Sequence, residues 1–131
     1  ENNEYSNEML EYIHINKTGA LIRSAIRAGL YLGEPSNYML QNLDVYAENL
    51  GLAYQIADDI LDEVGDPKEL GKAIGSDKKK NKNTYTSING LEAAHKRLEE
   101  LTDNAVEAIA PYYDNAEFFR DLVIKLKNRR K

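Results

Sequence analysis

From Met39 to Leu61 the apolar residues Met39, Leu40, Leu43, Tyr46, Ala47, Leu50, Tyr54 and Leu61 recur mostly three and four positions apart. On an α-helix that spacing makes one continuous stripe, so the segment must lie as a long helix with a core-directed face. Ser36 is a suitable N-cap, and Gly65-Asp66-Pro67 is a turn signal that ends the pattern. The flanking stretches read the same way. Met9, Leu10, Tyr12, Ile13 and Ile15 fit a short amphipathic helix over Tyr5 to Ile15, and a second opens at Asn16 and runs through Ile26 and Leu30 to Gly33-Glu34-Pro35. After Tyr85 and Asn89-Gly90, Leu91, Ala94, Leu98, Leu101, Ala105 and Ile109 predict a helix stopped near Pro111. A last helix, about Asn115 to Lys127, places Phe118, Phe119, Leu122, Val123 and Leu126 on its core side. Strand-like alternation, repeats and low-complexity segments are absent, so the fold class is all-α.

The long helix carries charge where a core helix should not. Asp58, Asp59 and Asp62 stand three and four apart, with Gln55 one turn earlier, so all four project from nearly one face. Ile56, Ile60 and Leu61 beside them imply a partly desolvated setting that raises the cost of each anion. A cation between them would relieve it. Carboxylate oxygens with room for water suit magnesium, which is usually completed by substrate phosphates, so the stretch reads as a diphosphate site. An acidic stripe in solvent is the structural alternative. An EF-hand fits poorly, because only Asp62 would fall on a ligand position.

Lys17 and Thr18 set an ammonium and a hydroxyl side by side at the expected start of the second helix, where free backbone amides favour anions; an ordinary exposed helix start is the alternative. Residues Lys68 to Asn83 hold Gly71-Lys72, Gly75-Ser76-Asp77 and Lys78-Lys79-Lys80-Asn81-Lys82. Alone, such a run is a solvated loop. Next to the acidic helix its glycines and lysines supply what clamping a diphosphate requires. The Walker A arrangement is missing. His14 and His95 are given no chemistry.

With 131 residues and a net charge of −5, the chain fits one domain or part of one, and its pI of 5.1 argues against general nucleic-acid binding. The absence of Cys excludes disulfides and thiolate chemistry. No apolar run approaches the roughly 18 residues of a membrane span, so stable membrane insertion is not expected and a cytoplasmic location is. The first residues, Glu1-Asn2-Asn3-Glu4, lead into helical pattern without an initiator Met, which suggests a fragment or processed chain.

Gly51 to Asp62, followed by Gly65-Asp66, Leu70-Gly71-Lys72, Gly75-Ser76-Asp77 and Asn81-Lys82-Asn83-Thr84-Tyr85, strongly resembles the second aspartate-rich region of trans-isoprenyl diphosphate synthases. Lys17-Thr18-Gly19-Ala20-Leu21-Ile22 resembles their Lys-Thr motif. The likeness runs from His14 to the end and is greatest to bacterial short-chain enzymes of the farnesyl diphosphate synthase group. It implies that residues 1–131 are the C-terminal portion of a single polyprenyl synthetase-like domain, an isoprenoid synthase-type helical bundle around a central cavity. It also implies condensation of an allylic diphosphate with isopentenyl diphosphate, release of pyrophosphate, magnesium as cofactor, and homodimerisation of the full-length protein. By matching motif, Asp58, Asp59 and Asp62 would be the metal ligands. Lys17, Thr18 and Lys72 would be catalytic and, with Gln55 and Lys82, would contact the allylic diphosphate; Arg129, Arg130 and Lys131 would approach isopentenyl diphosphate.

The first aspartate-rich motif and the basic isopentenyl-binding residues of the family are not in this sequence, so the visible chain by itself is expected to be inactive. Thr86 stands where the family often has Pro, a change expected to alter the turn rather than the chemistry. A terpene cyclase of similar fold ranks lower, because such enzymes usually carry a mixed Asn/Ser/Glu second motif. A non-catalytic helical subunit is a third reading, and geranylgeranyl diphosphate is a second candidate product.

Overall fold

The computed structural model describes residues 6–64 and 84–129. Helix α1 (Asn7–His14) starts where the Ser6 side chain accepts the Met9 N–H at 3.3 Å. It passes through a π-helical turn (Ile15–Gly19) into α2 (Ala20–Leu30), which ends in a 3-10 turn (Tyr31–Gly33). Glu34, in the left-handed region at φ 52°, reverses the chain ahead of Pro35. The Ser36 hydroxyl then accepts the Met39 N–H at 3.1 Å and begins α3 (Asn37–Val64), as the sequence predicts.

The second described segment holds the short α4 (Tyr85–Asn89), α5 (Leu91–Ile109), a 3-10 turn (Ala110–Tyr112) and α6 (Glu117–Lys127). Gly90 joins α4 to α5 at φ 85° and ψ 163°, a conformation open to glycine because it has no Cβ. Every regular element among the described residues is helical, and none of these helices is long and apolar enough to cross a membrane.

Helix α3 is the axis of the bundle. It packs most extensively along α5, with α2 and the π turn against it as well, and α6 lies across both α3 and α5. Tyr46, Ala47, Ala53 and Ile56 of α3 and Ala94, Ala105 and Ile109 of α5 have no exposed surface. Each large apolar side chain buried this completely contributes about 1.5–3 kcal/mol relative to an exposed one. Tyr46 fixes α6 in two ways: its hydroxyl donates to the Phe119 carbonyl at 2.9 Å, and the two rings meet edge to face with centroids 5.4 Å apart. Surface ion pairs trim the edges. Arg27 binds Asp44 through both guanidinium Nε, at 2.8 Å, and Nη2, which holds the Asp44 carboxyl below its usual range; Arg97 reaches Glu11 at 3.2 Å.

Four expectations change. The second helix does not open at Asn16, because the chain from Asn7 through Leu30 is helical without interruption. Tyr54 is 41% exposed and Phe118 71% exposed, and Leu122 is exposed too, so these residues leave the core side assigned to them. The physical reason is that α3 is packed on more than one side: its buried face widens to include Leu52, Ala57 and Ile60 and turns away from Tyr54. Helix α4 is an addition to the elements the apolar spacing predicts. Its signal is the Thr84-x-x-Ser87 capping box, in which each side chain binds the other's backbone N–H.

Gly29 sits in the last turn of α2 with open space where a Cβ would go. Gly29→Ala is therefore expected to stabilise the protein by about 0.5–1 kcal/mol through reduced unfolded-state freedom. Chemical denaturation at constant m-value measures it.

Candidate functional site

The face of α3 that carries Gly51, Gln55, Asp58 and Asp62 is built against the π turn. A π turn inserts an extra residue into a helical run and often marks a functional position. Here it contains Lys17 and Thr18. Gln55 Nε2 donates to Thr18 Oγ1 at 2.9 Å, joining the Lys-Thr pair to the aspartate-bearing helix. Just above this bond the two backbones meet. A Cβ built on Gly51 would lie 2.7 Å from the Gly19 Cα and 3.1 Å from its N, so only glycine allows the approach.

The amide end expected at Lys17 is absent. Gly19 and Ala20 have right-handed helical dihedrals, and the Ala20 N–H bonds to the Ile15 carbonyl inside the run. Any anion held here would therefore meet side chains, the exposed Lys17 ammonium and the half-buried Thr18 hydroxyl, rather than a helix terminus. One helical turn before Thr18, His14 has its pKa lowered by burial and then by the Lys17 charge, against an opposing pull from Glu11.

The three aspartates lie in differing surroundings. Asp58 is half-buried, and Asp62 is 5% exposed among Ile60 and Leu61, the desolvated setting their neighbours implied. Asp59 Oδ2 accepts the Tyr85 N–H at 2.8 Å, so this carboxylate also holds the start of α4. Among the described residues no three acidic or histidine side chains gather closely enough to hold a metal ion by themselves. The donor chemistry still fits magnesium, which typically takes one or two carboxylates and fills its other positions with water and phosphate oxygens. Lys72, Lys82, Arg130 and Lys131 lie outside the described residues.

On the adjacent face of α3, an apolar groove of about 510 Å³ runs between α2, α3 and α6. Ile22, Ile26, Leu50 and Phe118 line it together with Lys125 and Arg129. The Arg129 guanidinium stacks 5.2 Å from the Tyr54 ring centre, which is the position the structure gives this member of the basic C-terminal group. Sequence reasoning misses both the groove and the Tyr54–Arg129 stack, because it turns Tyr54 inward.

The polyprenyl synthetase family model matches residues 1–115. The chain belongs to the polyprenyl synthetase family. Among polyprenyl synthetase relatives, it is 48% identical over 103 residues to the farnesyl diphosphate synthase of Escherichia coli K12, covering 78% of this chain and 34% of that protein. It is 44% identical over 108 residues to the geranylgeranyl diphosphate synthase of Cyanophora paradoxa, with 82% and 36% covered. A crystal structure of a provisionally assigned farnesyl-diphosphate synthase from Marinomonas sp. MED121 superposes with a TM-score of 0.77 at 31% identity, over 96% of this chain and 42% of that one. The chain thus spans about a third of the length of the curated relatives it matches.

The lowered His14 pKa fixes a sign for pH dependence. The unfolded state takes up the proton first, so His14 costs no stability above its ordinary value of about 6.5 and a growing amount as pH falls below it, levelling off below the folded-state pKa. Replacing His14→Gln should flatten the loss of stability that sets in as pH falls below about 6.5, measured by urea denaturation at each pH.

Proposed function

We propose that this chain is the diphosphate-holding part of a trans-prenyltransferase that joins an allylic diphosphate to isopentenyl diphosphate. The observation that carries the reading is the Gln55–Thr18 hydrogen bond, which brings the Lys17-Thr18 pair onto the helix bearing Asp58, Asp59 and Asp62. The relatives named farnesyl and geranylgeranyl diphosphate synthases support it, as does the fold they share.

In this reading Thr18 and Gln55, crosslinked to one another, orient the allylic diphosphate, while the exposed Lys17 ammonium offsets charge on its oxygens. Asp58, Asp59 and Asp62 would hold magnesium, which when bound supplies Lewis-acid neutralisation of the leaving group. Lys72 and Lys82 would add cationic contacts to the same diphosphate. The allylic C–O bond breaks with its electron pair leaving on the diphosphate, the isopentenyl double bond attacks the allylic carbon, and a proton is lost to restore neutrality. The protein's part is electrostatic preorganisation rather than a covalent intermediate. Farnesyl diphosphate is the proposed product, with geranylgeranyl diphosphate the second reading favoured by the Cyanophora relative. The working enzyme would be a cytoplasmic homodimer.

The test is the full-length gene product with magnesium, isopentenyl diphosphate and geranyl diphosphate, its products separated by chromatography. Farnesyl diphosphate is expected, and Lys17→Ala and Asp58→Asn should each lower kcat/KM by about 100-fold or more, the scale of losing one charge-stabilising group. Well-folded protein that yields no prenyl product would overturn the reading.

A further inference from the structure

The Gln55–Thr18 bond joins two separate helical runs, and its length depends on how near their backbones can come. We propose that Gly51 is a positioning residue for the diphosphate site: having no side chain, it lets the Gly19 backbone press against α3 and thereby sets the Thr18–Gln55 hydrogen bond. The inference rests on the reading that this pair faces an allylic diphosphate.

The contact is backbone to backbone. The atoms a Gly51 Cβ would strike are the Gly19 Cα and N, at 2.7 and 3.1 Å, and no rotamer change moves those aside. Gly19 directly follows Thr18, and Gly51 precedes Gln55 by one helical turn. Each glycine is thus on the same rigid element as its hydrogen-bonding neighbour, so pushing the elements apart moves the bonded atoms with them. A carbon at Gly51 needs about 0.7 Å more room to reach the 3.4 Å of ordinary contact. A bond of 2.9 Å stretched by that much reaches about 3.6 Å, beyond the range of a side-chain hydrogen bond.

The crowding is one-sided. A Cβ built on Gly19 would meet nothing nearer than the His14 carbonyl at 3.7 Å, so the turn needs Gly19 only as backbone while α3 needs Gly51 to be glycine. The π turn explains how a helical run offers its backbone in this way: the additional residue widens the turn at the point where Lys17 and Thr18 are carried.

Four variants of the full-length gene product, Gly51→Ala, Gln55→Ala, their double and Gly29→Ala, decide the matter when assayed beside wild type. KM is read separately for geranyl diphosphate and isopentenyl diphosphate, with circular dichroism to follow folding. Gly51→Ala should raise KM for geranyl diphosphate about tenfold and leave KM for isopentenyl diphosphate within about twofold. Gln55→Ala should do the same, and the double should show less than the product of the two single effects, because both act on the one Thr18–Gln55 bond. Gly29→Ala, in open space, should match wild type. An unchanged allylic KM in Gly51→Ala, equal rises for both substrates, or multiplying effects in the double would overturn the proposal. Loss of the folded state in Gly51→Ala would overturn it as well, by making the contact a requirement for folding. A wild type that makes no prenyl product would take down the functional reading together with this proposal, whereas an active wild type with an indifferent Gly51→Ala removes the proposal alone.

Discussion

One constraint governs the molecule: α3, 28 residues long, is enclosed by its neighbours over most of its length. Its rotation about its own axis decides what every other element sees. With 100° between successive residues, Tyr46, Leu50 and Tyr54 point along one face toward α6 and the groove, while Gly51, Gln55, Asp58 and Asp62 point along the next. The fully buried Ala53 and Ile56 hold that phase, since turning the helix would drive them into solvent and bring carboxylates into the core. Asp62 shows how narrow the margin is, being 5% exposed on the border between the two environments.

The π turn acts on this axis from outside. Without it, α1 and α2 would be one regular helix with Lys17 and Thr18 at ordinary positions on its surface. With it, the run meets α3 through the backbone of Gly19 and places the Thr18 hydroxyl on Gln55. The electrostatic setting follows from the same packing. His14 stays neutral more readily than a free imidazole because burial and the Lys17 ammonium both oppose a second positive charge there.

Much of the fold is legible because the signals are local. Ser36 capping α3, the apolar period of α5 from Leu91 to Ile109 and the end of α6 at Lys127 all appear where side-chain spacing puts them. What the sequence does not disclose depends on contacts between distant segments. Tyr54 fits the apolar period of its helix, yet its exposure follows from where α2 and α6 lie. The π turn leaves no trace in a three-and-four pattern, so Ile15 reads as the end of one helix and Asn16 to Gly19 as the start of the next. Asp59 illustrates the limit within the site: its place beside Asp58 and Asp62 is evident from spacing, but its bond to the Tyr85 N–H, 26 residues along the chain, is not.

Two of the contacts described above also bear on how the chain reaches this state. The Tyr46–Phe119 bond joins residues 73 apart, and the Arg97–Glu11 pair joins residues 86 apart. Helical bundles usually fold fast because their contacts are short-range, and separations of this size add loop-closure entropy that must be met before the contacts form. Closing such spans costs this bundle speed of folding relative to one of equal length whose helices meet only their immediate neighbours in sequence.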